Sequence, residues 1–555
     1  MNKFKISILG TMMAFSLNHV THALTAPTNF TSTGSNLFIF FENNVDNEYF
    51  IASDVLNPRF SGANTWTKYG SNNQDSLGYM GRDTGVTSGY NVDLWLEGSG
   101  MLTPFQGLRC RIRRENECPS TGFVAPAFVD QYGAYKMVAG STEFTGNAVR
   151  GSFSPQAYEY LKNLPIGATD IYNMHYCYTR EDYNPAAGQK CQDAATGTWR
   201  KLQITTTKVA HIKFKDNKAF SEIWVATDGT PSLTSNNDAC EYIVIANSNN
   251  ATTQELNEGI ACKMVAYELD GPPSAFNTST RLYMVIDTTA LNNMTIEDTA
   301  IMLNGGASST WARWNGTGRT ENRMSNLMAT GNNEIRVLFT KRFFKHMLAA
   351  GASTSGRQGV FTFAVNNTVT PQSGFYQFAT NMDIDIIPRE YGISIRHKNQ
   401  DERVKTGKIG EEEQDITFDY VVTQSAPRKA DTVKASVIGN SVTVRSNSYC
   451  LFKSTDSTLN VAIPSYLSFT HETGGNVEQY SGCNANAELD LTKAQWSATP
   501  WDEQQSGYFY STDLKLRFPM NDPVSLFTTD GIDWLGTVRA EGDVKVEATW
   551  IGVTP

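Results

Sequence analysis

Charge is scarce in this 555-residue chain. Asp, Glu, Lys and Arg together make up 18%, and the basic residues are the minority, 46 against 56 acids, for a net charge of −10. A protein that grips a phosphate backbone needs a basic stripe, so nucleic-acid partners are excluded. Long apolar runs are missing too: the longest, over residues 6–17, falls short of the roughly 20 residues that cross a bilayer as a helix. Histidine is rare, with seven in all, and the eight cysteines include no C-x-x-C pair. Zinc-ligand spacing is therefore absent, as are a G-x-S-x-G elbow, a phosphate-binding loop and a dinucleotide fingerprint. These absences weigh against an enzyme without excluding one, because catalytic triads assemble through space from distant residues. No catalytic residue, metal site or cofactor is expected.

What is present begins with an export signal. Lys3 and Lys5 precede the apolar run, and Thr21-His22-Ala23 puts small residues at the positions a signal peptidase reads, so cleavage is expected after Ala23. Losing two lysines and no acid moves the net charge from −10 to −12. The cysteines fit an oxidising compartment. Eight allow 105 connectivities, but Cys110 with Cys118, Cys177 with Cys191, Cys240 with Cys262 and Cys450 with Cys483 are sequence neighbours 8, 14, 22 and 33 positions apart. Hairpin partners approach within bridging distance, which favours these four local disulfides, each contributing about 2–4 kcal/mol by restricting the unfolded chain.

The dominant pattern has period two. Val544, Val546, Ala548 and Trp550 alternate with Asp543, Lys545, Glu547 and Thr549, the signature of a half-buried strand. The same rhythm marks residues 210–214, 361–365, 384–387, 393–395, 416–421 and 514–518, with Asn, Gly, Asp and Ser clusters supplying turns between them. Many short strands with little helix predict antiparallel β-sandwiches, an all-β fold of immunoglobulin-like domains in tandem. Three short helices are expected: one capped by Ser154-Pro155 and closed by Pro165, one over 340–350, and one over 491–496. The composition shifts near Pro388-Arg389 and, more weakly, near 205–210. The expected division is a signal peptide over 1–23, two N-terminal parts over 24–207 and 208–389, and a C-terminal domain over 390–555.

Two kinds of binding site have some basis in the residues. The oxygen-rich runs over 42–48 and 399–402 could offer calcium ligands, but neither has the spacing of an EF-hand, and such clusters are more often turns. Trp66, Trp95, Trp311 and Trp314 lie beside polar turns and could present ring faces to a sugar, against the commoner role of tryptophan as a core anchor.

The C-terminal run Gly542 to Trp550 resembles the last strand of common-pilus subunits, which end in a similar alternating segment closing on an Ala-Thr-Trp triplet. Further segments are similar, in the same order, to the tip adhesins of the enterobacterial common pilus (the EcpD/MatE family). They include Phe41-Glu42-Asn43-Asn44, the run from Asn57 to Trp66, Gly107-Leu108-Arg109-Cys110, Cys262-Lys263-Met264-Val265, Gly374-Phe375-Tyr376-Gln377-Phe378, Pro388 to Ile395 and Thr499-Pro500-Trp501. The resemblance implies a fimbrial adhesin that is exported through the periplasm, handled by a periplasmic chaperone and an outer-membrane usher, and displayed at the pilus tip. There it would attach to host cells through an unknown receptor, support biofilm formation and help the major pilin assemble into fibres. The first two parts would be adhesive and the region from about 390 pilin-like, lacking its final strand.

A sandwich without its last strand exposes unpaired backbone beside apolar residues, which a donated strand would cover. The expected groove is flanked by Ile393 and Ile395 on one side and by Val544, Val546, Ala548 and Trp550 on the other. Only five residues follow Trp550, too few for another strand. Residues 24–35 carry few apolar side chains, so the chain is expected to cap a fibre and not to donate a strand itself. The runner-up function is a secreted β-sandwich enzyme acting on carbohydrate, which would need a carboxylate pair in a cleft.

Overall fold

The computed structural model describes residues 24–25 and 29–552, apart from 55–58, 67, 70–73, 83–85, 111–118, 141–148, 217–218, 234–236, 238, 246–253, 273–274, 276–279, 298, 306–310, 315–321, 329–332, 355–356, 358, 368–373, 381, 400–402, 457 and 502–506. The fold is predominantly β, in several mainly antiparallel sheets. Two compact units emerge. One is built from the chain up to Glu42, Glu48–His211 and Asn367–Tyr376, the other from Asn43–Asn47, Ile212–Asn366 and Gln377 onward.

In the first unit, strands Asn91–Glu97 (β1), Gly133–Val138 (β2), Thr169–Thr179 (β3) and Thr198–Lys215 (β4) pair in the order β2, β1, β3, β4. Period two decides which face each side chain takes. Val92, Leu94 and Leu96 of β1, Tyr172, Met174 and Tyr176 of β3, and Leu202 and Ile204 of β4 enter one core cluster. Burying each of these large side chains stabilises the fold by about 1.5–3 kcal/mol. Their sequence neighbours Trp95, His175 and Trp199 turn to the opposite face. A second sheet, carrying Tyr79–Arg82, Phe105–Arg109 and Val149–Phe153, adds Met80, Phe105 and Phe153 to the same core.

The helix expected after Ser154 is present as Pro155–Asn163 (α1). Ser154 Oγ accepts the Ala157 N–H at 3.0 Å, Pro155 needs no donor in the first turn, and Ala157, Tyr158 and Leu161 are buried. The expected division at 207/208 falls inside β4, which runs unbroken through it.

In the second unit, Phe220–Val225 (β5) lies parallel to Asp383–Pro388 (β6), in register from Phe220 opposite Asp383 to Val225 opposite Pro388. An antiparallel series joins Cys240–Val244, Glu258–Asp270, Glu334–Thr340 and Ile301–Asn304. The helix Lys341–Ala349 (α2) is capped by Thr340 and buries Phe343, Phe344 and Met347.

From β6 the chain turns into Gly392–His397 (β7), which pairs with Ile416–Ala426 (β8). Thr432–Gly439 (β9) and, after several shorter strands, Tyr508–Phe518 (β10) lie in facing sheets, and Gly542–Thr549 (β11) follows. Strand β10 pairs with β8 along its whole length, from Ile416 opposite Phe518 to Ala426 opposite Tyr508, and β11 pairs with β9. The third expected helix is absent. Over 491–496 the Asp490 carboxylate accepts the Thr492 N–H, the Leu491 N–H bonds to Val433 O, and only one turn closes, from Ala494 N–H to Leu491 O. A side chain that captures the backbone in this way competes with helix propagation.

Disulfides join Cys177 to Cys191, Cys240 to Cys262 and Cys450 to Cys483. Cys240 and Cys262 stand directly opposite in neighbouring strands. Cys110 is disulfide-bonded, and Cys118 lies outside the described residues.

Candidate strand-acceptor seam

The C-terminal part of the second unit holds two sheets over a shared core of Val422, Val433, Ala435, Val437, Leu467, Leu489, Leu514 and Leu516. Strand β7 ends one sheet and β11 ends the other. They approach each other, yet among the described residues no ladder joins them and neither has a partner on its free side. On that seam Ile393, Ile395, Val544, Val546, Ala548 and Trp550 are all half-buried and pack on the core from its rim. The alternation on β11 is complete: Asp543, Lys545, Glu547 and Thr549 are exposed, and the apolar residues between them face inward. Val437, Ala435 and Val433 of β9 stand opposite Val544, Val546 and Ala548 and are buried.

The ends of the seam differ. At one end the Tyr391 and Trp550 rings meet edge to face, with centroids 5.7 Å apart. Tyr391 holds φ +58°, a left-handed conformation costly for an aromatic residue. It leads into Gly392, where a Cβ would lie 2.2 Å from Pro388 O. The end of β11 is fastened as well. Trp550 Nε1–H donates to Arg428 O at 3.1 Å, Arg428 Nη2 donates to Ile551 O at 2.8 Å, and the Ile551 N–H donates to Asp431 Oδ2 at 2.6 Å. Arg428 also forks onto both oxygens of Asp431, at 3.1 and 3.0 Å, and holds that carboxyl below its usual range. At the other end, burial and then the charge of Asp543 raise the Tyr420 phenol well above its ordinary value. Tyr420 stands opposite His397 in register. Tyr391, just before β7, meets Trp550, just past the end of β11.

The outer side of β7 is locked in place. The Ser394 hydroxyl donates to Glu222 Oε1 at 2.6 Å, and Arg396 Nε lies 3.9 Å from Oε2. Glu222, on β5, is 2% exposed, and burial raises its carboxyl above the ordinary range.

The four tryptophans considered as sugar platforms are divided between the two units. Trp66 and Trp95 belong to the first unit, Trp311 and Trp314 to the second. Trp314 is 1% exposed, so it has no ring face for a receptor and is a core residue; its sequence neighbourhood looked polar, but strand packing covers it. Trp311 is half-buried against Ala261, Met302 and Leu338, and Trp66 is half-buried.

Trp95 belongs to a row of rings that the sequence reading did not anticipate. His175 stacks on it at 4.8 Å, Tyr135 lies 6.5 Å away, and Trp199 is 6.0 Å from both Trp95 and His175. Beside this row Glu97 receives Lys201 Nζ at 2.9 Å and His175 Nε2 at 3.1 Å. These bonds, Lys201 first, hold the Glu97 carboxyl at about 2. Strand register alone assembles the row, placing His175 opposite both Trp95 and Lys201.

Of the two oxygen-rich runs, 42–48 forms a turn in which Val45 N–H bonds to Asn43 Oδ1. In the other, residues 400–402 lie outside the described residues. Among the described residues no group of three His, Cys, Asp or Glu side chains is placed to hold a metal ion.

Three family models match the chain in succession: the E. coli common pilus adhesin EcpD N-terminal domain over 25–212, its middle domain over 216–383 and its C-terminal domain over 390–548. The fimbria adhesin EcpD of Escherichia coli K12 is 32% identical over 568 residues, covering 98% of this chain and 99% of that protein, and EcpD of E. coli O157:H7 matches to the same extent. Among solved structures, a mutant of the CFA/I adhesin CfaE of enterotoxigenic E. coli is 8% identical, covers 61% of this chain and 95% of its own, and superposes loosely, with a TM-score of 0.21. The CsuC–CsuE chaperone and tip-subunit complex of Acinetobacter baumannii gives 11%, 59%, 97% and 0.18.

Proposed function

Because the chain belongs to the common pilus adhesin (EcpD) family, we propose that it is a fimbrial tip adhesin whose C-terminal domain, from about residue 390, accepts a strand from another pilus protein. One observation carries the strand-acceptor reading: β7 and β11 present unpaired edges on either side of a single row of half-buried apolar residues. Unpaired backbone beside an apolar row is unfavourable in water, and an extended segment laid between the edges satisfies both at once. During export the occupant is a periplasmic chaperone's strand, and in the fibre it is a segment of the major pilin, delivered at an outer-membrane usher. Residues 1–23 are the signal that starts this route, and 24–389 form the adhesive region that attaches to host cells and supports biofilm formation.

The names of the relatives support a binding role over catalysis. The test is thermal melting of the mature protein with a synthetic peptide of the major pilin's N-terminal segment. The melting temperature rises with peptide if the seam accepts a strand; an unchanged melt, together with no binding by fluorescence anisotropy, sinks the reading.

A further inference from the structure

The Cys177–Cys191 bridge of the first unit sits in a small cluster of its own, separate from the main core. Both cysteines and Tyr183 are buried, and three half-buried side chains pack on them: Trp95, Trp199 and Leu24. The loop that carries Cys191 is held from below by a fully buried carboxylate. Asp93 accepts the Cys191 N–H at 2.7 Å and the Tyr183 hydroxyl at 2.5 Å. In the turn Cys191–Asp193, Lys190 O and Cys191 O accept the N–H groups of Asp193 and Ala194, so the turn closes on itself. The next carbonyl points elsewhere: Gln192 O accepts the Leu24 N–H at 2.9 Å. The leucine side chain reaches Gly197, where an added Cβ would lie 3.3 Å from Leu24 Cδ1, a tight approach. Backbone and side chain of Leu24 are thus both engaged by a loop far away in sequence.

Leu24 is also the residue that cleavage after Ala23 makes the first of the mature chain. Building on that reading of residues 1–23, we propose that the slot on the Cys177–Cys191 bridge is the binding site of the chain's own new N-terminus, and that its occupation shuts the bridge to thiols. Hydrolysis of the Ala23–Leu24 peptide bond leaves a carboxylate on Ala23 and an ammonium on Leu24. The ammonium donates to Gln192 O in a charge-assisted bond, roughly twice as strong as the neutral one it replaces. Exchange requires a thiolate to reach a sulfur, and the docked leucine covers that approach. Before cleavage the bridge is held by the weaker contact and stays open to exchange; afterwards it is sealed. The pairing of Cys177 therefore remains correctable until the leader is removed, in a chain whose eight cysteines allow 105 connectivities.

The test uses the full chain secreted with its own leader, as wild type, as Leu24→Ser, and with Ser-Gly inserted after Ala23 so that the Leu24 nitrogen stays an amide. Intact mass fixes the first residue of each. The readout is the rate at which dithiothreitol opens Cys177–Cys191 in the folded protein, followed by alkylation and peptide mass mapping, with Cys450–Cys483 in the same sample as reference. The bridge reacts from the state in which Leu24 has lifted off, so the rate follows the population of that state. Leu24→Ser speeds the reaction about tenfold, the worth of the lost leucine contact. The insertion speeds it about fivefold, the difference between a charged and a neutral bond. Cys450–Cys483 keeps its wild-type rate in all three. An unchanged Cys177–Cys191 rate in Leu24→Ser overturns the slot, as does equal acceleration of both bridges, which marks general loosening. A serine effect without an insertion effect overturns the role of the free N-terminus. A mature mass that starts elsewhere than Leu24 removes the cleavage reading and the proposal with it, whereas a Leu24 start with unchanged rates removes the proposal alone.

Discussion

Trp314 and Trp311, three positions apart, show how little a residue's sequence neighbourhood says about its exposure. Trp314 is 1% exposed and Trp311 half-buried. Trp314→Ala therefore leaves a cavity and costs about 3–5 kcal/mol, while Trp311→Ala costs clearly less; chemical denaturation of the two variants measures the difference, and equal losses would contradict the burial. Glu97 makes a second prediction at this scale. Its folded carboxyl is held at about 2, below the ordinary 4.5, by bonds from Lys201 and His175. The stability these bonds contribute is complete above about 4.5 and is lost as the pH falls toward 2. Melting between pH 2 and 5 should fall more steeply for the wild type than for Glu97→Gln. Parallel curves would mean that solvent screening of this largely exposed carboxylate cancels what the bonds contribute. Trp95 was legible in the sequence as a candidate; its partners were not. His175 lies 80 positions away and reaches Trp95 only through the register of β1 against β3, which no local pattern reveals.

Elements were the more legible scale, for a physical reason. A strand half-buried on one face writes its period into the chain, and every period-two run singled out from the sequence lies in a strand, among them 393–395 in β7, 416–421 in β8 and 514–518 in β10. Capping chemistry located α1, and apolar spacing on one face located α2. It failed over 491–496 because apolar spacing at Leu491, Ala494 and Trp496 imitates a helix face, while the deciding bond, from Thr492 to Asp490, lies just upstream of the run. The lock on β7 was invisible for another reason: Glu222 and Ser394 are 172 positions apart. Burial raises the Glu222 carboxyl above 4.5. An acid that is harder to ionise when folded binds its proton more tightly in the folded state, so its contribution declines as the pH rises above the ordinary value. Glu222→Gln should flatten that decline between pH 4.5 and 7 while still accepting the Ser394 hydroxyl. Glu222→Ala instead strips Ser394 and Arg396 of a buried partner and costs about 1–3 kcal/mol. A wild-type stability that is flat with pH across this window would refute the sign.

At the scale of the whole molecule, the order of the three domain matches and the seam make separate demands, and linkage joins them in one measurement. A ligand that binds only the folded state stabilises it by RT ln(1 + [L]/Kd), about 2.7 kcal/mol at one hundred times Kd. A seam peptide at that excess should therefore shift the transition of the unit that contains β7 and β11 by this amount. The Cys450–Cys483 bridge closes a 33-residue separation in the same core, to which both cysteines belong. Replacing both with serine removes about 2–4 kcal/mol of basal stability through the unfolded chain. The peptide's increment should survive, because neither cysteine lies on β7 or β11 and the apolar row is intact. Replacing Cys177 and Cys191, which belong to the first unit, should leave both the basal stability of the acceptor unit and the peptide increment unchanged. The readout is calorimetry of the three proteins with and without peptide. Loss of the increment in the Cys450/Cys483 variant would mean that the bridge shapes the seam itself; loss in the Cys177/Cys191 variant would mean that the peptide is not bound at the seam.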